Sequence, residues 1–305
     1  MITQSPNLIE DPKTALSSLS LYESVVTTRL VNEDRSQALR FLAERPLHNV
    51  VMAGLIRDNG IESKFNRGTF YASRNAAEML VGIALIGHAV FIDARCDEAL
   101  RQFAQLAQHF PRTHMLMGEA ETVERFWKFY APHGQPRHRV CREVLLELSS
   151  QPMRTDSVPH LRLAEVTDLS LVVPVHATMA FEESGVNPLQ VDPDAFRQRC
   201  RRRIEERRTW VMAEQDRLIF KADVISETPE VIYLEGVYVH PQHRDQGHGS
   251  RCLAQLARKL LDRTKSISVL VNEERVQAQR FFCKLGFVPR GWYDTYFLRT
   301  QPQLL

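Results

Sequence analysis

The chain has 305 residues, 44% of them hydrophobic and 25% charged, with a formal net charge of +2. That length suits two domains of about 150 residues each, and the balance excludes a disordered or fibrous chain and gives no reason to expect a specific nucleic-acid partner. Five scattered cysteines without a Cys-x-x-Cys pair, no apolar run near the roughly 20 residues of a membrane helix and no basic, apolar leader set the expectation of a cytoplasmic protein without disulfide framework, metal site or membrane contact.

Residues 1–21, rich in Ser, Thr, Pro and Asn, read as a flexible arm. Glu23 to Val31 alternates as a strand does, and Asn32 with Glu33-Asp34 supplies a helix N-cap and an acidic first turn. Leu39, Phe41 and Leu42, then Val50, Val51 and Leu55, predict helices broken at Pro46. Three strands follow at 69–72, 79–86 and 89–93, the last two joined by a turn at Gly87-His88. Cys96 to Phe110 is helical by the spacing of Leu100, Phe103, Ala104 and Ala107, and Pro111 ends it. A short strand at 115–117, a helix from Glu119 to Tyr130 and a strand from Arg139 to Leu148 complete a first domain over 22–150.

The polar stretch 151–159, with two prolines, reads as a linker to a second domain at 160–305. There Leu161 to Ala164 is a strand and Asp168 begins a helix that runs to a Glu182-Glu183-Ser184-Gly185 end. Asp192 caps a further helix through Arg208, with Pro193 at its first position. Its arginines form a wet face around an apolar stripe of Phe196, Cys200 and Ile204. Strands at 209–213, 218–225 and 232–239 follow, Asp216-Arg217 occupying the first hairpin turn. A helix led by a glycine loop, a strand at 266–271, a helix at 273–285 and a strand at 292–298 end the series. The fold class is α/β, a mixed and mostly antiparallel sheet flanked by helices.

The stretch from Gly236 to Leu261 carries the chemistry. Val237-Tyr238-Val239 is a strand that Pro241 stops. Arg244, Gly247 and Gly249 stand in the spacing Arg-x-x-Gly-x-Gly, and an amphipathic helix starts there. Free N–H groups at a helix start, a favourable macrodipole and glycines that admit close approach make an anion site, and Arg244 adds a charged donor. A dinucleotide fingerprint fits poorly because its third glycine is missing. The spacing resembles the acetyl-coenzyme A diphosphate loop of the GNAT N-acetyltransferases. Downstream, Ala278, Phe281, Gly286 and Phe287 are similar to the family's last motif, while Arg275 replaces its helical Asn and Phe282 replaces the Tyr that often protonates the departing thiolate.

The resemblance implies an N-acetyltransferase that transfers acetyl from acetyl-coenzyme A to an amine by direct attack in a ternary complex. It implies tandem GNAT-like domains of the two-domain bacterial type, the second complete and the first degenerate. Val237, Tyr238, Val239, Arg244, Asp245, Gln246, Gly247, His248, Gly249, Ser250, Asn272, Phe281 and Phe282 are the implied cofactor-binding residues. Glu235 is the candidate general base, and a solvent-facing or salt-bridged strand glutamate is the plainer alternative. Tyr293 and Tyr296 are candidate acids, and Glu182 and Glu183 fall where the family lines its acceptor pocket. A different class, a non-catalytic acyl-coenzyme A sensor, is the rival that Phe282 favours.

Overall fold

A computed structural model describes residues 24–153 and 157–299, so the expected arm at 1–21 and part of the linker at 151–159 lie outside the described residues. The first half runs β1 (Val26–Arg29), α1 (Arg35–Ala43), α2 (Pro46–Asn59), β2 (Gly68–Arg74), β3 (Leu80–Gly87), β4 (Ala89–Ala94), α3 (Asp97–Gln108), β5 (Met115–Glu119), α4 (Ala120–Tyr130) and β6 (Arg137–Leu148). The second repeats that order as β7 (Arg162–Leu163), α5 (Leu169–Ser184), α6 (Pro193–Glu205), β8 (Thr209–Glu214), β9 (Arg217–Glu227), β10 (Val231–Val239), α7 (His248–Leu261), β11 (Ser266–Asn272), α8 (Val276–Lys284) and β12 (Val288–Leu298). A single helical turn at Pro188–Val191 lies between α5 and α6.

Local chemistry explains the element ends. Pro46 and Pro193 sit in the first turns of their helices, where a missing N–H costs nothing, and the Asp192 side chain accepts from Ala195 N at 3.0 Å. α5 ends on Gly185 in the left-handed region. Among the boundaries that differ from the sequence expectation, four have a visible local cause. The β8–β9 turn is Gln215-Asp216, both at positive φ, which is the conformation a tight hairpin demands. α6 ends at Glu205 rather than Arg208, because Arg207 takes positive φ. α8 starts at Val276 rather than Glu273, since Asn272 Oδ1 accepts from Glu274 N at 2.8 Å and holds a turn there. β12 starts at Val288, not Trp292, because its partner β6 extends far enough to pair with it.

The twelve strands of the described residues form one sheet, ordered β1-β2-β3-β4-β5-β12-β6-β11-β10-β9-β8-β7. The order is a palindrome in which the two halves have exchanged their last strands. β6, from the first half, pairs with β11, matching Glu143 to Asn272. β12, from the second, pairs with β5, matching Tyr293 to Glu119. The exchanged strands pair with each other at Tyr293 and Glu143, so these two residues are counterparts across a pseudo-twofold axis.

Each exchanged strand fills its host's core. Val144, Leu146 and Leu148 of β6 are buried with Leu253, Leu256 and Leu260 of α7, and Tyr296 and Leu298 of β12 with Phe103 of α3 and Phe126 of α4. A buried side chain of this size contributes about 1.5–3 kcal/mol, so neither half's core is complete on its own residues. α2 crosses the join on the opposite face, where Leu47, Val50 and Val51 pack on Val231, Tyr233 and Leu270. Ser226 Oγ donates to Val50 O at 2.5 Å. At the end of α2, Arg208 reaches Asp58 at 2.7 Å and Arg202 reaches Asn59 at 3.1 Å, so two arginines of the basic run tie the halves together.

Candidate active site

β10 and β11 pair in parallel only from Val231–Leu234 to Ser266–Val269, and beyond that they diverge. At the split the register of β10 against β9 shifts around Gly236, which holds a positive φ of 62°. This bulge re-aims the strand end. His240 N donates to Ile219 O of β9 at 2.9 Å, so by strand alternation the N–H of Val239 points to the opposite, unladdered edge. An extended chain can add to that edge as a strand.

The loop that follows turns back over the end of β10. Arg244 Nε donates to Val239 O at 3.2 Å, Asp245 takes positive φ, and Gly247 caps α7 at φ 79°. A Cβ on Gly247 would meet nothing within 4 Å, so the glycine serves conformation. Gly249 serves proximity, since a Cβ there would stand 2.7 Å from Val239 Cγ2 and 3.3 Å from the Phe281 ring. Among the described residues the N–H groups of Gln246, Gly247, His248 and Gly249 donate to no protein acceptor. α7 therefore presents a cluster of free donors at its positive end, which fits a diphosphate. His240, His243 and His248 stack edge to face above it with centroids 5.6 Å apart, and no described group of three His, Cys, Asp or Glu is placed to hold a metal.

Glu235 stands at the start of the split, within dense protein yet open to solvent along the cleft. Burial raises its pKa, and Arg203 and Lys221 counter part of that. Behind it lies a network that the sequence reading missed. Lys221 and Asp223, 0% and 1% exposed, form an ion pair, and Arg203 reaches Asp223 at 3.3 Å. Thr209 Oγ1 donates to Asp223 at 2.7 Å, and Lys221 Nζ donates to Gly236 O at 3.3 Å, holding the bulge. Burial opposes the charge on Asp223, but Lys221 and Arg203 outweigh it and hold the carboxyl below its usual range. Burial, with Lys221 and Arg203, lowers His176 to about 3, so it is neutral. Two charged residues in the apolar run of β9 were the available signal.

Glu183 shares the cleft and is open to solvent; the surrounding protein and then Glu235 raise its pKa to about 7 against the pull of Arg275 and Arg139. Glu182 does not face inward with it, for Arg275 of the α8 N-terminus pairs with it at 2.8 Å on the rim. A third carboxylate, Glu143 of the exchanged strand β6, completes the cleft and was also missed. Burial, then Glu183 and Glu235, raise it to about 8.

The remaining sequence candidates scatter. Asn272 is occupied, donating to Cys141 Sγ at 3.1 Å and capping Glu274. Phe281 packs beside Gly249, and Phe282 is buried against Phe287, so no hydroxyl stands at that place. Ser250 Oγ donates to Gly247 O at 3.0 Å. Tyr293 corrects the expectation of an acid. Its hydroxyl meets His48 Nδ1 at 3.0 Å beside Glu119 and Arg45 in the first half, and burial raises its pKa. Tyr296 lies on the other face of β12, against Trp127 with Arg137 over its ring. Neither is brought to the Val239 end of β10. A separate cavity of about 30 Å³, room for a water or two, is lined by His48, Tyr233, Ser268 and Tyr293 rather than by the loop that precedes α7.

Residues 205–289 match a family model described as an acetyltransferase (GNAT) domain. This segment is similar to a GNAT domain. Curated proteins give no match to the chain. Among solved structures of similar fold, a Drosophila protein superposes with a TM-score of 0.68 at 9% identity, covering 92% of this chain and 100% of its own. A tandem GNAT protein from the clavulanic acid biosynthesis pathway gives 0.57 at 12% identity, covering 92% and 100%. A GNAT-family acetyltransferase from Colwellia psychrerythraea gives 0.56 at 11%, covering 90% and 100%. At such identities the likeness is one of fold: the chain has a tandem GNAT fold, and the loop at 244–249 lies inside the matched segment.

Proposed function

We propose that the protein is an N-acetyltransferase that uses acetyl-coenzyme A and an amine in a ternary complex. The observation that carries this reading is the set of free N–H groups at the start of α7, set beside the open edge of β10. Gln246 to Gly249 would hold the diphosphate, with Arg244 adjoining, and the Val237–Val239 edge would take the pantetheine. Bound, acetyl-coenzyme A supplies an activated thioester. The Val239 N–H would donate to its carbonyl oxygen as negative charge develops there.

Glu235 takes the proton that the ammonium must lose before its nitrogen can attack the thioester carbon. Its raised pKa brings proton affinity closer to that of a useful base at neutral pH. The C–S bond then breaks and the thiolate takes its proton from solvent, since Phe282 has none to give. On this reading residues 160–305 are the catalytic domain, and 22–150 a domain without its own coenzyme site that lends β6 to the first. Thiol release measured across a panel of amines tests the proposal. Release that depends on both amine and acetyl-coenzyme A is expected. Tight coenzyme binding without release for any amine would point instead to a sensor, the reading that the buried Phe282 favours.

A further inference from the structure

At the seam between the halves, positive charge gathers without a counter-charge. Arg202 of α6 lays its guanidinium over the Phe65 ring, 3.9 Å from the centroid, and donates to Asn59 at 3.1 Å, which sets that face of α6 against the loop leading into β2. Arg199 stands one turn earlier on the same face, and Arg67 two residues beyond Phe65. Arg67 is fixed at a positive φ of 54°, its N–H donating to Lys64 O at 3.2 Å and its carbonyl accepting from His88 N at 2.9 Å. His88 O in turn accepts from His114 N at 2.7 Å, and the two imidazoles stack with centroids 5.5 Å apart. The loop before β2, the β3–β4 turn and the start of β5 thus meet α6 of the other half.

These groups face one another and nothing acidic. The charges acting on Arg67, His88 and His114 are Arg199, His138 and each other. Burial first, then these cations, lower His88 to about 3 and lower His114 as well, so both half-buried rings are neutral and each offers one N–H. Among the described residues no ring nitrogen of either meets a protein partner, and the exposed guanidinium groups of Arg67 and Arg199 neither pair with a carboxylate nor donate to the protein. Their neighbours on α6 are different: Arg201 holds Glu205 at 2.8 Å, Arg202 holds Glu206 at 2.6 Å and Arg203 reaches Asp223 at 3.3 Å. Like charges held together repel unless an anion sits between them.

We infer that this seam is an anion site, separate from the loop that precedes α7, for the phosphoryl group of a small phosphorylated ligand. Two guanidinium forks supply charge-assisted donors, and the imidazoles add donors from another direction, a set that suits a tetrahedral dianion better than a flat carboxylate. Because α6 comes from one half and Arg67, His88 and His114 from the other, a bound phosphoryl group bridges the halves and stabilises the native chain. The inference stands whether or not the chain transfers acetyl groups.

Calorimetry with the full chain, with and without saturating coenzyme A, tests it, using inorganic phosphate, glycerol phosphate and succinate at one ionic strength. Both phosphates are expected to bind at one site per chain in either state, about tenfold more tightly than succinate, and to raise the melting temperature. Arg67→Gln and Arg199→Gln should each weaken phosphate at least about tenfold, while Arg197→Gln, the same charge change on the opposite face of α6, leaves it unchanged. The imidazole proton resonances of His88 and His114, assigned with His88→Gln and His114→Gln, should shift saturably with the calorimetric midpoint. No saturable binding, binding lost when coenzyme A is present, succinate matching phosphate, or an equal loss in Arg197→Gln overturns the site. Wild-type affinity in folded Arg67→Gln and Arg199→Gln overturns it too.

Discussion

The two halves share ten elements in one order, yet they differ most at one junction. In the second half, eight residues, 240–247, separate β10 from α7, and they deliver a glycine cap with free donors. In the first, Arg95 and Cys96 alone join β4 to α3, whose first turn carries Asp97 and Glu98. Asp97 is held by Arg125 at 2.6 Å. Carboxylates at a helix start satisfy the dipole from within and repel phosphate. The carboxylate-lined cleft differs in the same sense. Where the second half has Glu183 and Glu235 facing Glu143, the first has Arg45 paired with Asp93 and Glu119, beside Tyr293. The first half has closed its cleft with direct ion pairs, whereas in the second Glu183 and Glu235 stay open to solvent, with Arg139, Arg275, Arg203 and Lys221 around them.

That contrast can be broken most forcefully by separating the halves. Deletion of residues 1–155 removes β6 and the α2 cover, so residues 156–305 alone are expected to be insoluble or unfolded by circular dichroism; a stable, active fragment would refute the exchanged-strand account. Next comes the junction. Gly247→Asp places a carboxylate beside the phosphate donors and strains a left-handed position at about 1–2 kcal/mol, so coenzyme A affinity should fall at least about a hundredfold while the fold persists, as read by calorimetry and melting.

Glu235→Gln should spare coenzyme binding and lower kcat by roughly 10²–10⁴-fold. The wild-type rate should fall as pH drops through the raised pKa of the cleft carboxylates, because the base must be unprotonated. The variant should lose that limb, and unchanged turnover would remove Glu235 from the chemistry. Glu143→Gln acts on stability. Glu143 takes up its proton near 4.5 unfolded and about 8 folded, so the native state binds more protons between these values and stability falls as pH rises across them. The variant should therefore melt a few degrees above wild type near pH 9 and no higher near pH 5. The smallest effect is expected at the other junction, where Asp97→Asn should leave coenzyme affinity and a stoichiometry of one per chain unchanged.

Most elements were legible because periodicity and caps are local. The spacing Arg-x-x-Gly-x-Gly located the glycine turn that leads into α7, and Phe196, Cys200 and Ile204 are the buried stripe of α6 as their spacing implied. The acceptor side was only half legible. Glu235 and Glu183 lie on elements the motifs locate, but Glu143 reaches them through a strand exchange that no local pattern in RHRVCREVLLEL encodes. Tyr293 misled for the same reason. Placed by its position in the chain it belongs to the second half, and placed by pairing it belongs to the first. Lys221 and Asp223 did leave a trace, two charges on one side of an otherwise apolar central strand, where only a mutual pairing can hold them.

The exchange of β6 and β12 also sets a timetable for synthesis. Once residues 26–148 have left the ribosome, β5 still has a bare edge, and the strand that will cover it is the last in the series to be made. β6 meanwhile waits for β11. From the completion of β6 until β11 is made, the nascent chain thus carries two strands without their final partners, a period in which exposed edges favour mispairing.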